Sequence, residues 1–181
     1  LYPARMHPEI AKRLIAKYAI KSSDIVFDPF MGSGGVLVES MVHGNNSVGI
    51  DLNPFAVLLA TVKTTPLDAA KLETTFNQII LDSKKDKKNK NKIEPDNAPN
   101  FLPKKPKEES LKFWYQNDTL RDLQILKNHV FLTKDKKSRD FFKICFSLAT
   151  RKVSFQKNSI YKIYRMKPDK RELFKPNVLD E

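Results

Sequence analysis

All five glycines of this chain fall between Gly32 and Gly49, and three of them stand in one turn, Asp28-Pro29-Phe30-Met31-Gly32-Ser33-Gly34-Gly35. A chain of 181 residues that uses glycine so sparingly places it where a side chain would block the backbone's path. Before the turn, Ile25-Val26-Phe27 is a short β-branched and aromatic run that predicts a buried strand. After it, the apolar residues from Val36 to Val42 predict a helix that stops at His43-Gly44. Ser47-Val48-Gly49-Ile50-Asp51 then predicts a second strand ending in a carboxylate. Strand, glycine turn, helix, strand and terminal acid together outline half of a nucleotide-cofactor site. Glycines let the backbone approach a ligand, a helix N-terminus offers unpaired N–H groups, and a carboxylate after the second strand can accept from both hydroxyls of a ribose.

Three readings of this unit stand side by side. A dinucleotide site needs the spacing G-x-G-x-x-G, which Gly32, Gly34 and Gly35 do not give, and Asp28 at the end of the first strand would repel a pyrophosphate. A tight turn with no ligand is the second reading. The third is a ligand with a cationic amino-acid end and a ribose end, which would satisfy Asp28 and Asp51 together. S-adenosylmethionine is such a ligand, and the residues favour it.

The turn Asp28-Pro29-Phe30-Met31-Gly32-Ser33-Gly34 resembles the cofactor motif of the S-adenosylmethionine-dependent DNA methyltransferases that modify base amino groups, the N6-adenine and N4-cytosine methylases of restriction–modification systems. Gly35 stands where that family commonly has Thr, a loss of one hydroxyl. Gly49-Ile50-Asp51-Leu52-Asn53-Pro54-Phe55-Ala56 is similar to the segment whose acid holds the ribose, and Tyr2 to Ile10 resembles the motif that lines the methionine end of the pocket. The resemblance is specific from about residue 2 to residue 66. It implies a cofactor set of His7, Pro8, Asp28, Pro29, Phe30, Gly32, Ser33, Gly34, Asp51, Leu52 and Asn53, with no metal. It also implies DNA as partner and a cytoplasmic enzyme.

Charge is unevenly distributed. Residues 1–83 carry a net −1, residues 84–112 a net +5 and residues 113–181 a net +8, within a chain of net charge +12. A basic half beside a neutral one suits a polyanionic substrate, and a solvated lysine-rich surface is the plainer alternative. Lys84 to Pro106 is rich in Lys, Asn and Pro and reads as a flexible insertion. Leu111 to Tyr115 is an aromatic cluster, expected to anchor against the cofactor domain rather than to stack bases. Asp118-Thr119 is expected to cap a helix through Leu120, Leu123, Leu126 and Val130, and a second helix is expected from about Ser138 to Leu148. Within it the single Cys145 reads as a buried small hydrophobe. Beyond it, apolar residues interleave with Arg151, Lys152, Lys157, Lys162 and Arg165, which are the candidate DNA contacts. No apolar run approaches the ~18–20 residues of a membrane helix.

The second motif of the resembled family, an acid, Asn or Ser followed by Pro-Pro and an aromatic, has no counterpart, since no Pro-Pro dipeptide occurs in the chain. Asn53-Pro54-Phe55 is the nearest imitation. The expectation is therefore a fragment or one half of a split enzyme, without catalytic residues of its own and inactive alone, completed by the remaining catalytic part or a second subunit. The fold expected is α/β, a partial Rossmann-like, doubly wound sheet with a mainly helical basic appendage. Its parts would be a cofactor subdomain over 1–83, the insertion over 84–110 and the basic region over 111–181. A non-catalytic nucleic-acid-binding or regulatory module that kept a cofactor fold is the competing class, and an RNA methyltransferase is a variant of the first.

Overall fold

The computed structural model describes residues 6–18, 21–89, 108–157 and 164–180. The chain divides into two compact units, Leu1–Leu67 and Asp68–Glu181.

In the first unit, α1 (Pro8–Tyr18) precedes β1 (Ile25–Asp28), α2 (Gly35–Val42), β2 (Asn46–Gly49) and α3 (Pro54–Thr64). The two strands pair in parallel, Ile25 with Asn46 through Asp28 with Gly49. Helix α2 contacts both strands, and α1 and α3 pack on α2. The β1–α2–β2 unit is thus the one read from the glycine turn. β2 begins at Asn46 and ends at Gly49, so Ile50 and Asp51 lie beyond the ladder. Asn45 is buried and its side-chain amide donates to the carbonyls of Lys21 (2.8 Å) and Asp24 (3.3 Å), which ties the approaches to the two strands together.

The sheet is covered on one face. Alternation puts Val26, Asp28, Ser47 and Gly49 toward the helices, whereas Ile25, Phe27, Val48 and Ile50 are exposed, Ile25 at 65% and Phe27 at 58%. The strand expected to be buried is therefore buried on one side only. The compact core is Met31, Leu37 and Ala60, with Val36 against it.

The second unit is mainly helical: α4 (Ala69–Asn89), α5 (Glu108–Trp114), α6 (Asn117–Leu132), α7 (Lys136–Lys152), β3 (Gln156–Lys157), β4 (Tyr164–Arg165) and α8 (Pro168–Leu173). Helices α4, α6 and α7 contact one another and enclose Ile79, Leu123, Leu126, Val130 and Phe142, with Val153, Val178 and Leu179 completing the core. The spacing of Leu72, Phe76, Ile79 and Ile80 gives α4 one apolar face. Helix α4 continues through Lys84–Asn89, where the sequence suggested a flexible insertion from Lys84. Lys87 pairs with the buried Asp122 at 2.6 Å and Asp86 meets His129 at 2.9 Å, so these polar residues are held across to α6. The rest of that insertion, from residue 90 to 107, lies outside the described residues.

Three local expectations change. Gln116, not Asp118 or Thr119, occupies the N-cap of α6, and it makes no side-chain cap bond. Helix α7 starts earlier than Ser138 because Asp135 caps it, accepting from the Ser138 N–H at 2.9 Å. Cys145 is exposed rather than buried; it lines an apolar groove with Phe76, Phe141 and Phe142, and that apolar setting raises its thiol pKa. The aromatic cluster near Trp114 packs within the second unit, where Tyr115 lies against the core and the Trp114 carbonyl accepts the Phe155 N–H at 2.8 Å. Burial raises the Tyr115 pKa. Among the described residues no helix is long and apolar enough to cross a membrane.

Candidate cofactor site

The carboxyl ends of two adjacent parallel strands converge on the glycine turn. Gly32 and Gly34 take φ of +49° and +75°, the left-handed region that other residues avoid. Through these two residues the chain leaves β1 and enters α2, whose N-cap, Gly34, provides no side-chain bond to the first turn. That turn carries no acidic residue either.

Asp28 and Asp51 organise this end of the sheet. One Asp28 oxygen accepts the Phe30 N–H at 3.0 Å, and the other has no partner among the described residues. Asp51 reaches across from the second strand: one oxygen accepts the Gly32 N–H at 2.9 Å and the other the Asn53 N–H at 2.8 Å. Backbone bonds from Ile50 N–H to the Asp28 carbonyl and from Met31 N–H to the Ile50 carbonyl, both 3.0 Å, prolong the pairing past the ladder. The two acids are thus brought together, and Asp51 also fixes the turn. Each carboxylate oxygen carries two acceptor positions, so these tethers leave room for a ligand's donors.

Around the acids, Phe30 is 88% exposed, Leu52 is fully exposed and Pro29 is exposed. Asn53 uses its side-chain oxygen to cap α3, accepting the Phe55 N–H at 3.0 Å, with Pro54 at the first helical position. Ser33 is buried and its carbonyl accepts the Lys63 ammonium at 2.9 Å, a contact with no advance signal in the sequence. His7 and Pro8 are exposed at the start of α1, and the His7 Nδ1 accepts the Glu9 N–H at 3.3 Å. No described hydrogen bond joins His7 to either acid.

Two glycines are required by packing. A Cβ on Gly34 would lie 2.7 Å from the Ala60 Cβ, and one on Gly49 would lie 2.5 Å from the Met31 sulfur. The neighbour that a side chain at Gly34 would meet is α3. A Cβ on Gly35 would enter open space.

Of the five candidate DNA contacts, Arg151 is half-buried near the end of α7, Lys152 and Lys157 are exposed, and Arg165 is half-buried on β4. Lys162 lies outside the described residues.

With this geometry in place, comparison with known proteins gives a consistent result. Residues 1–63 match a family model described as DNA methylase. The type II methyltransferase M.MvaI of Kocuria varians is 33% identical over 187 aligned positions that cover the whole chain and 39% of that relative. The chain is a relative of the type II DNA methyltransferases. A second such enzyme, M.MjaII of Methanocaldococcus jannaschii, is 36% identical over 88 residues, 49% of this chain and 16% of its own length. A tRNA (guanine(10)-N2)-dimethyltransferase of Methanothermobacter thermautotrophicus is 36% identical over 52 residues, 29% of the chain and 16% of the relative. The chain therefore spans about two fifths of M.MvaI and far less of the others. No solved structure matches it. The DNA-methylase match ends at residue 63, just short of the boundary of the first compact unit at Leu67.

Proposed function

We propose that this chain is the cofactor-binding part of a DNA methyltransferase that moves a methyl group from S-adenosylmethionine to an exocyclic amino group of adenine or cytosine. The observation that carries the reading is the pairing of Asp28 and Asp51 at the ends of adjacent parallel strands beside the glycine turn. Their chemistry fits the cofactor: the Asp28 oxygen without a partner among the described residues suits a methionine ammonium, and Asp51 suits the ribose hydroxyls. Phe30 and Leu52 present apolar surface next to these acids, to which a flat adenine can be apposed. His7, Pro8, Pro29, Ser33 and Asn53 complete the proposed pocket. The bound cofactor supplies an electrophilic methyl on a sulfonium. The chain's part is to hold and orient it, while the target base is turned out of the duplex toward a catalytic acceptor supplied by further strands of a doubly wound sheet. The uncovered face of β1 and β2 is consistent with helices that would pack on such a doubly wound sheet. The similarity to a tRNA dimethyltransferase supports a second reading, in which the amino group belongs to an RNA base.

Asp28→Asn tests the cofactor assignment with little structural disturbance, because an amide oxygen can still accept from the Phe30 N–H. Loss of one charge-assisted bond, worth about 1.5–3 kcal/mol, should weaken S-adenosylmethionine binding roughly tenfold to a hundredfold in calorimetry. Unchanged affinity in a folded variant would overturn the ammonium assignment. Methyl transfer to duplex DNA against transfer to tRNA, measured on the enzyme with its catalytic part, separates the two substrates.

A further inference from the structure

In the second unit, two arginines share one aromatic platform and have no acidic partner among the described residues. The Arg165 guanidinium stands 3.9 Å from the centre of the Phe113 ring and 5.6 Å from that of Phe155. The Arg171 guanidinium stands 5.8 Å from the centre of the same Phe155 ring. Backbone bonds hold the platform: Phe155 donates to the Trp114 carbonyl and Met166 donates to the Phe155 carbonyl at 2.7 Å. The Gln116 amide donates to the carbonyls of Arg171 (3.3 Å) and Phe174 (2.8 Å), which fixes the second arginine's backbone against the start of α6. Residues from α5, the turn before β3, β4 and α8 thus converge, although they span more than fifty positions of sequence.

The polar side of this arrangement is unfinished. The Nε atoms of both arginines are buried and have no hydrogen-bond partner, and among the described residues neither guanidinium forms an ion pair. Two cations held near one ring repel each other, and each guanidinium is a planar fork of donors made for an oxyanion. Loss of solvent and the neighbouring Arg171 charge together lower the Arg165 pKa, the direction expected where the counter-anion is external. Stacking on Phe113 and Phe155 fixes the fork but satisfies none of its N–H groups.

We infer that Arg165 and Arg171 form a clamp for one backbone phosphate of DNA, positioned by the Phe113–Phe155 platform. A phosphodiester fits better than a carboxylate partner because residues 113–181 carry a net +8, a field that favours a polyanion over a single acid. The clamp rests on the reading of the chain as part of a DNA methyltransferase, but its test does not use methyl transfer.

The test follows the arginine Nε–H resonances of the 181-residue chain by NMR, assigned through Arg165→Lys and Arg171→Lys, during titration with duplex DNA and separately with inorganic phosphate. Both resonances should shift downfield on DNA. Binding isotherms at several salt concentrations should lose about 0.9 from the log–log slope in the Arg165→Gln, Arg171→Gln double variant, the value for one phosphate contact. Its affinity at low salt should fall roughly tenfold, and a thermal melt establishes that it folds. Shifts with inorganic phosphate but not with DNA would reassign the clamp to a free anion and overturn the DNA commitment. Unmoved resonances, or an unchanged slope in a folded double variant, would leave the arginines as packing elements. Loss of S-adenosylmethionine binding in the Asp28 variant with an intact DNA slope would separate the fate of the clamp from that of the cofactor site.

Discussion

In the first unit the clustered core is Met31, Leu37 and Ala60, with Ala11, Ile15 and Ala56 also buried, and much of the order comes from polar bonds such as those of Asp51 and Asn45. In the second unit eight buried apolar side chains from three helices and the C-terminal turn make a continuous core, and the charged pairs lie around it. One unit is built to hold a backbone in a defined path, with two acids at its end. The other is built by side-chain packing and leaves cations over for its surface. The lesson is that hydrogen-bonded loops shape the proposed pocket, while the packed unit need only present Arg165 and Arg171 on a rigid base.

That contrast can be broken most directly from the packed side. Phe142 is buried, stacks on Phe76 at 6.4 Å and meets Phe141 edge-on at 5.3 Å. Phe142→Ala should cost about 3–5 kcal/mol, measured by denaturant unfolding of the second unit. Amide signals of residues 25–64 should persist under conditions that erase those of α6 and α7; simultaneous loss would show the units to be one cooperative body.

A smaller effect is expected from Gly34→Val. Both the left-handed φ and the approach to Ala60 oppose it, at a combined cost of about 2–4 kcal/mol. Here the first unit should lose its signals while the second keeps its melt. Gly35→Ala, which meets nothing, should be tolerated, and equal damage from the two would refute the packing account of Gly34.

The smallest effect concerns the α7 cap. The Lys71 ammonium, 2.8 Å away, and the Ser138 backbone and hydroxyl hold Asp135 well below the ordinary carboxylate range. A depressed folded-state pKa means that the stabilisation is complete above the unfolded value near 3.8 and is lost as the pH falls through the folded one. Asp135→Ala should lower the melting temperature near neutrality, through loss of the cap. The difference in melting temperature from the parent chain should narrow below pH 4. A constant difference from neutrality down to acid would remove the charge from the explanation.

The β1–α2–β2 unit was legible because its signals are local: a glycine cluster, a β-branched run and a terminal acid lie within thirty residues. Helix α3 has a start signal in Asn53-Pro54, but the same residues also fit the segment that follows the ribose acid, so the helix does not stand out in the sequence. Helix α4 has its apolar residues at helical spacing, yet the lysines after Ser83 suggested an unstructured insertion; partners on α6, invisible in one dimension, keep Lys87 and Asp86 helical. Arg165 could be named because aromatic residues surround it. Arg171, within Lys170-Arg171-Glu172, looks like any charged surface turn, and only the return of the chain to Phe155 and Gln116 gives it a role. Cys145 was misread for the same reason: an apolar run shows that a helix packs, but not which of its positions faces outward.

The uncovered face of the sheet bears on how the chain is made. Ile25, Phe27, Val48 and Ile50 leave the ribosome before the roughly 130 residues that follow Ile50 in this sequence, up to Glu181. At about 5–20 residues per second, that segment takes roughly 7–26 s to synthesise. During this time an apolar surface and open strand edges stand ready to pair with neighbouring nascent chains on the same message. Until that face is covered, association between copies of the unit competes with its correct assembly.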